Sequence, residues 1–283
     1  MIAKGVIGLD FTNRTPVTAE IGHFKWTAKW RKGPFSIYYT TLHCEPLNTS
    51  RTLLWTCFAR GTLDSAAADG SKQVTFNHWN FRFDGTEKQI MLRSEASKVN
   101  KAREDARCDD GCPKEELHVE IIESFVADLS KPDNLLIEDQ ADAAKIKIRK
   151  DEIWVSKKVL AVHSPFFNNL FNKDFKERAE DSYELKELIM EEFIQFLGIV
   201  HDLEITIDEI SVEYLLGLAD LFLCKTVLHR CEEFLRNADV KVVALPERFC
   251  LANRFKLHKL LLDTVEKMST DEVMGLPHKG LSQ

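Results

Sequence analysis

The chain has 283 residues, 44% apolar and 29% charged, with a net charge of −7 at pH 7. That length suits roughly two domains of about 100–200 residues each, and the composition is ordinary for a chain that buries globular cores. The acidic balance argues against a nucleic-acid or anionic-membrane partner, which needs a basic stripe. The longest apolar runs, Leu215 to Ala219 and Leu260 to Leu262, are far short of the ~20 residues that span a bilayer.

The opening stretch MIAKGVIGLDFTNRTP holds no apolar core of signal-peptide length. Seven cysteines, an odd number, without a secretory route are expected to be reduced thiols of a cytoplasmic and/or nuclear protein. The sequons at Asn13 and Asn48 are then idle.

Aromatic content is concentrated early: Trp26, Trp30, Trp55 and Trp79 precede residue 81, and only Trp154 follows. FKWTAKW, FSIYYTTLHC, LLWTCFARGTL and VTFNHWNFRF read as short strands rich in β-branched and aromatic residues. Loop residues separate them at Lys32-Gly33-Pro34, Pro46 to Ser50, Asp64 to Ser71 and Asp84-Gly85. The spacing predicts an antiparallel sandwich or barrel. Residues 93–116 are charge-rich and read as an exposed loop. Leu117 to Leu129 resumes as a strand, and Lys131 to Asn134 reads as a linker.

Beyond residue 135 the pattern becomes mixed. Ala144 to Arg149 and Glu152 to Val155 alternate as a β-hairpin. Ser156 can cap a helix over KKVLAVH. Ser164 can cap PFFNNLFN, with Pro165 at the first helical position, where its missing N–H costs nothing. Tyr183 to Leu188 reads as a strand. Amphipathic helices are expected over Met190–His201, Ser211–Phe222, Cys224–Arg236, Ala244–Asn253 and Lys256–Met268.

Catalytic signatures are lacking. Gly5-Val-Ile-Gly8 misses a third glycine, there is no Gly-Lys-Ser/Thr, no nucleophile elbow and no His-Glu-x-x-His. Cys108 and Cys112, with His118 nearby, offer an incomplete zinc set; structural thiols are the plainer reading. Glu191-Glu192 and Glu232-Glu233 fall on polar helix faces, and His163 ends a helix, where a cation or cap role fits. No acid, base and nucleophile come together, so the expectation is a non-enzymatic protein without cofactor or metal.

Val155 to Glu177, VSKKVLAVHSPFFNNLFNKDFKE, closely resembles the signature of the BTB (POZ) domain. YELKELIMEEFIQFL resembles that family's next strand and helix, and VEYLLGLADLFLCKTVLHRCEEFL its closing helices. Residues 240–276 resemble the start of the helical three-box or BACK extension. FKWTAKWRKGPFSIYY, LLWTCFARGTL and FNHWNFRFD resemble the MATH (TRAF-like) sandwich of the MATH–BTB adaptors; another β-sandwich recognition domain is the alternative. The resemblance implies a multidomain chain. An all-β antiparallel sandwich for substrate recognition spans residues 1–130, an α+β BTB domain spans 135–236, and a short α-helical extension spans 237–283.

The same resemblance implies a homodimer built on the first BTB helix and the strand before it, with Asp142 facing Lys157 and with Val159, Leu160 and Ala161 as interface candidates. Phe175-Lys176-Glu177 resembles the hydrophobic-x-glutamate motif that docks cullin-3, and Phe171 and Phe222 border that surface. The implied function is a substrate-specific adaptor of a cullin-3 RING ubiquitin ligase that recruits an unidentified protein substrate, with neither nucleic acid nor membrane as partner. The alternative is a BTB scaffold, transcriptional or cytoskeletal, outside ubiquitin ligation. Trp55, Phe58, Trp79 and Phe81 lie on expected strands, and most are read as core instead of cleft because alternation buries every second residue. No substrate-contacting residue is assigned.

Overall fold

Strand alternation and aromatic residues build the first half of the chain. The computed structural model describes residues 3–10, 15–32, 38–65, 77–94, 114–172 and 182–274. The strands are β1 (Ala3–Asp10), β2 (Val17–Ile21), β3 (Phe24–Lys32), β4 (Tyr38–Pro46), β5 (Leu53–Ser65), β6 (Asn77–Asp84), β7 (Gln89–Ser94) and β8 (Lys114–Asp128). They form two four-stranded sheets, ordered β1-β8-β5-β6 and β2-β3-β4-β7.

Inward residues of both sheets share one core of Phe24, Trp26, Leu42, Trp55, Cys57, Trp79, Phe83, Leu117 and Val119 among others. Aromatic pairs bridge the sheets: Trp26 meets Phe83 edge-on at 5.2 Å and Phe24 meets Trp55 at 5.7 Å. This explains the early clustering of tryptophan, since each ring contributes a large buried apolar area. Trp55 and Trp79 are core, as expected, while Phe58 and Phe81 are half-buried.

Three strands escape a reading based on composition. GVIGLD, weighed above only as an incomplete phosphate loop, is β1, paired antiparallel with β8 from Ala3↔Ile121 to Asp10↔Lys114. VTAEI is β2, and QIMLRS is β7 at the margin of the charged stretch. Residues 114–116 of that stretch belong to β8 instead of a loop. Two glycines are dictated by geometry. Gly22 opens the two-residue β2–β3 turn at φ +64°, and a Cβ on Gly61 would lie 1.8 Å from the His118 carbonyl oxygen on β8.

The chain divides into two units, Met1–Val126 and Ala127–Gln283. In the second, Asn134 is buried and anchors the stretch read as a linker. Its side chain donates to the carbonyls of Lys131 (2.8 Å) and Trp154 (3.1 Å) and accepts from the Leu136 amide. A 3₁₀ turn, Gln140–Asp142, leads into the hairpin of β9 (Ala143–Ile148) and β10 (Asp151–Ser156). Strand β11 (Ser182–Glu184) adds parallel to β9. It is shorter than the expected Tyr183–Leu188, because Glu187 at φ 64° turns the chain while Leu185 and Leu188 stay buried.

The helices are α1 (Lys157–His163), α2 (Pro165–Asn172), α3 (Met190–Val200), α4 (Ser211–Leu221), α5 (Lys225–Asn237), α6 (Leu245–Arg254), α7 (His258–Val265) and α8 (Thr270–Met274). Helix α3 is buried on nearly every side, which a single apolar face does not convey, and so forms the centre of the unit. Its buried Gln195 is satisfied by donating to the Thr206 carbonyl at 2.8 Å and accepting from the Tyr214 hydroxyl. After α5, buried Arg248 donates to the carbonyls of Val243 (3.0 Å) and Ala238 (2.5 Å), tying the α5–α6 connection to α6.

Three helices end in Schellman turns with a non-glycine residue at positive φ: Asp202 after α3, Leu223 after α4 and Lys256 after α6. In each, the following amide returns to the helix: Leu203 N to Gly198 O, Cys224 N to Ala219 O, and Leu257 N to Ala252 O.

Candidate functional site

Helix α1 begins where three polar groups converge. Ser156 caps it by accepting from the Val159 amide at 3.1 Å, and its hydroxyl donates to Asp142. Asp142 also accepts from the Lys158 amide at 2.7 Å. The carboxylate therefore sits on the positive end of the helix and fixes the junction of hairpin and helix. Lys157, the residue expected to face Asp142, is half-buried at the same helix start.

Of the α1 residues expected at an interface, Leu160 is fully buried in its own subunit. Val159 and Ala161 are half-buried. The residue that composition did not single out is Val162, 75% exposed. Helical geometry would have found it: two residues past an inward Leu160 lies about 200° round the helix, on the opposite face.

Helix α2 is set by Ser164, which is buried. Its hydroxyl accepts from the Phe167 amide at 3.2 Å and donates to the Phe222 carbonyl at 2.5 Å, joining the α1–α2 corner to the end of α4. Beneath lies an aromatic cluster. The Phe167 ring is 4.8 Å from Phe222 and 5.8 Å from Phe171, and Phe171 packs on Tyr183 at 5.1 Å.

Phe171 and Phe222, expected to border a partner surface, are 7% and 1% exposed. They lie beneath the surface at this corner, where Leu221 and Leu223 are both more than half exposed. Phe222 turns inward because it continues the buried stripe of Leu215, Leu218 and Ala219 on α4, and the left-handed Leu223 ends the helix just beyond it. Phe175 and Glu177 lie outside the described residues.

Nearby, His201 follows α3 with Nε2 buried and unpartnered. Burial, and then the charge of His163, push its imidazole down to about 4. His163 itself meets the Thr226 hydroxyl through Nδ1 at 3.0 Å.

On the first unit, a shallow groove runs from Lys29, Arg31, Thr41 and Met91 on β3, β4 and β7 to Ile90 and to Phe81 of β6 in the facing sheet, both of which pack against the core. The opposite sheet's outer face is covered by paired charges, with Lys4 and Arg60 sharing Glu120 at 2.7 and 2.8 Å. Those two cations hold Glu120 below the usual carboxylate range. His118 pairs with Asp64 at 3.2 Å; Cys108 and Cys112, its companions in the zinc reading, lie outside the described residues. Among the described residues no group of three or more His, Cys, Asp or Glu could hold a metal ion. The five described cysteines are free thiols. No described helix is long and apolar enough to cross a membrane.

Comparison with known proteins fits this geometry. The family model for the BTB/POZ domain matches residues 138–239. The chain is similar to BTB and MATH domain-containing protein 38 of Caenorhabditis elegans, 36% identical over 92 residues, 32% of this chain and 24% of that protein. It is also similar to protein 36 of that series, 30% identical over 127 residues (44% and 39%), and to protein 15, 29% identical over 120 residues (42% and 43%). The matched segments thus span less than half the length of these curated relatives.

Proposed function

We propose that the chain, whose residues 138–239 match the BTB/POZ domain and which is similar to BTB and MATH domain-containing proteins, is a protein-interaction adaptor of the MATH–BTB type, the substrate-specific adaptor of a cullin-3 RING ubiquitin ligase. Residues 1–130 recruit the substrate, residues 135–236 dimerise and bind the cullin, and residues 237–283 form a helical extension. Its contribution to ubiquitin transfer is proximity: a dimer brings two substrate readers and two ligase arms together and raises their effective concentration.

The observation that carries this reading is the Phe175-Lys176-Glu177 motif, which begins in the sequence three residues past the end of α2, a helix whose start is fixed by Ser164 and whose Phe171 packs on Tyr183. An aromatic anchor there fills an apolar pocket on the cullin while the carboxylate satisfies a donor at its rim. Leu221 and Leu223 extend the same corner with exposed apolar surface, supported from below by Phe171 and Phe222.

Dimerisation takes the exposed side of α1. Val162, with Val159 and Ala161 beside it, is removed from water on association. Leu160 is the internal support of that helix, and Asp142 and Lys157 lie at its start.

The test is a pull-down of the purified chain with the cullin-3 N-terminal region, wild type beside Phe175→Ala and Glu177→Lys, with light scattering to show that all remain dimeric. Wild type binds, and loss of the aromatic anchor costs about 2 kcal/mol or more. A well-folded wild-type dimer that ignores the cullin makes the protein a scaffold outside ubiquitin ligation.

A further inference from the structure

Two of the described free thiols face each other across the core of the sandwich. Cys44 is on β4 and Cys57 on β5, in different sheets, and both are fully buried in the core that the sheets share. The strand registers bring them together. Cys44 lies opposite Trp26 on β3, Cys57 lies opposite Phe83 on β6, and the Trp26 and Phe83 rings meet between the sheets at 5.2 Å. Beside that ring pair the two thiols are in hydrogen-bonding contact.

While the sandwich is closed the pair is inert. Burial, and then the Cys57 thiol, push the Cys44 thiol far above its ordinary value, and thiols react as thiolates. In that state both residues act as small apolar fillers. Cys224 and Cys231 are equally buried but differ in geometry. They stand two turns apart along α5, roughly 10 Å at the helical rise, whereas a disulfide needs Cα atoms within about 7 Å. Facing strands of two packed sheets do accept a bridge beside a buried tryptophan, as immunoglobulin sandwiches show, and Trp26 stands next to Cys44.

We propose that Cys44 and Cys57 form a redox site of the sandwich, closed to an inter-sheet disulfide by a peroxide. One sulfur attacks a peroxide oxygen, releasing one water and becoming a sulfenic acid. The other thiol then displaces the hydroxyl as a second water and forms the S–S bond. Two thiols are oxidised by two electrons, and one hydrogen peroxide is reduced to two waters. Access comes through transient separation of the sheets, and the product removes that freedom. Closing a loop of about 14 residues between β4 and β5 lowers the population of the opened form on the order of a hundredfold.

The test treats the reduced full chain with hydrogen peroxide from micromolar to millimolar concentration. Remaining thiols are blocked with N-ethylmaleimide in denaturant, and tryptic peptides are mapped by mass spectrometry without reduction. The expected product joins the peptides of Cys44 and Cys57, lighter by two hydrogens than the separate pair and released by dithiothreitol. In the oxidised chain the slowest amides of β4 and β5 exchange on the order of a hundredfold more slowly, and reduction restores their rate. Cys44→Ala and Cys57→Ala each remove both effects, while Cys250→Ala, at an exposed cysteine on α6, leaves both.

The wild-type peptide map decides without any variant. If Cys44 and Cys57 are recovered as maleimide adducts at every peroxide concentration, the site is refuted and the two are core filler. A bridge from either one to a different cysteine overturns the inference, as does a Cys44–Cys57 bridge that leaves exchange in β4 and β5 unchanged. None of these outcomes bears on the adaptor reading, which the cullin pull-down decides.

Discussion

Replacing Ser164 by alanine removes one oxygen and breaks two connections at once. The hydroxyl caps α2 by accepting from the Phe167 amide and satisfies the Phe222 carbonyl at the end of α4. Loss of a helix cap costs about 1 kcal/mol, and a buried carbonyl left without its donor costs about 1–3 kcal/mol more. The two effects share one group, so the expected total is about 2–4 kcal/mol. A chain of two units does not unfold in one step, so the assay is segment-resolved hydrogen exchange. Protection falls in peptides covering residues 157–172 and 219–228, while the strands of the first unit keep theirs. Asn168→Ala, exposed on the same helix, stays within about 0.5 kcal/mol. If Ser164→Ala is as mild as Asn168→Ala, Ser164 does not hold the two segments together and the support for the proposed cullin corner is misassigned.

The buried His201 gives the second unit an acid sensitivity. Its folded value of about 4 lies below its ordinary 6.5, so between the two the unfolded chain binds a proton that the folded chain refuses. Stability is complete above about pH 6.5 and falls as the pH drops toward 4, by roughly 2 kcal/mol at pH 5. Denaturant titrations at pH 7 and pH 5 should show this loss in wild type and a smaller one in His201→Gln; an identical loss in both sinks the assignment. Lys256 occupies a left-handed turn at φ 56°, so Lys256→Gly relieves strain and, after the extra entropy of unfolded glycine, stabilises by about 0.5–1 kcal/mol. Lys256→Val destabilises instead, and thermal melts of the pair that rank the other way refute the turn geometry. Gly61→Ala drives a Cβ into the His118 carbonyl and is expected to cost more than 2 kcal/mol; wild-type hydrogen-exchange protection in β5 and β8 would contradict the close approach.

Local chemistry made much of the second unit legible. The hairpin of β9 and β10 follows from alternation in AKIKIR and EIWV, and α1 and α2 follow from Ser156, Ser164 and Pro165, all in the positions expected of them. What was missed depends on partners distant in sequence. Strand β1 carries Gly5 and Gly8, poor strand formers in isolation, and owes its conformation to β8 more than a hundred residues away. In Leu221-Phe222-Leu223 the helical period from Leu215, Leu218 and Ala219 marks Phe222 as inward, while the Schellman turn at Leu223 carries no glycine to announce it.

The interface candidates divide for a similar reason. Composition marks Val159, Leu160 and Ala161 as apolar, but only packing shows that Leu160 is internal and Val162 is presented. Groove residues on the sandwich are least legible of all. Lys29 and Arg31 are unremarkable in sequence, and only the register of β3, β4 and β7 sets them beside Tyr39 and Met91.

The most direct test of the adaptor account is size-exclusion chromatography with light scattering of the chain mixed with the cullin-3 N-terminal region. The account predicts a single species containing two copies of each, stable on dilution and converted to one copy of each when Val162→Asp disrupts the α1 face. A dimer that elutes apart from the cullin, at concentrations well above micromolar, would contradict it.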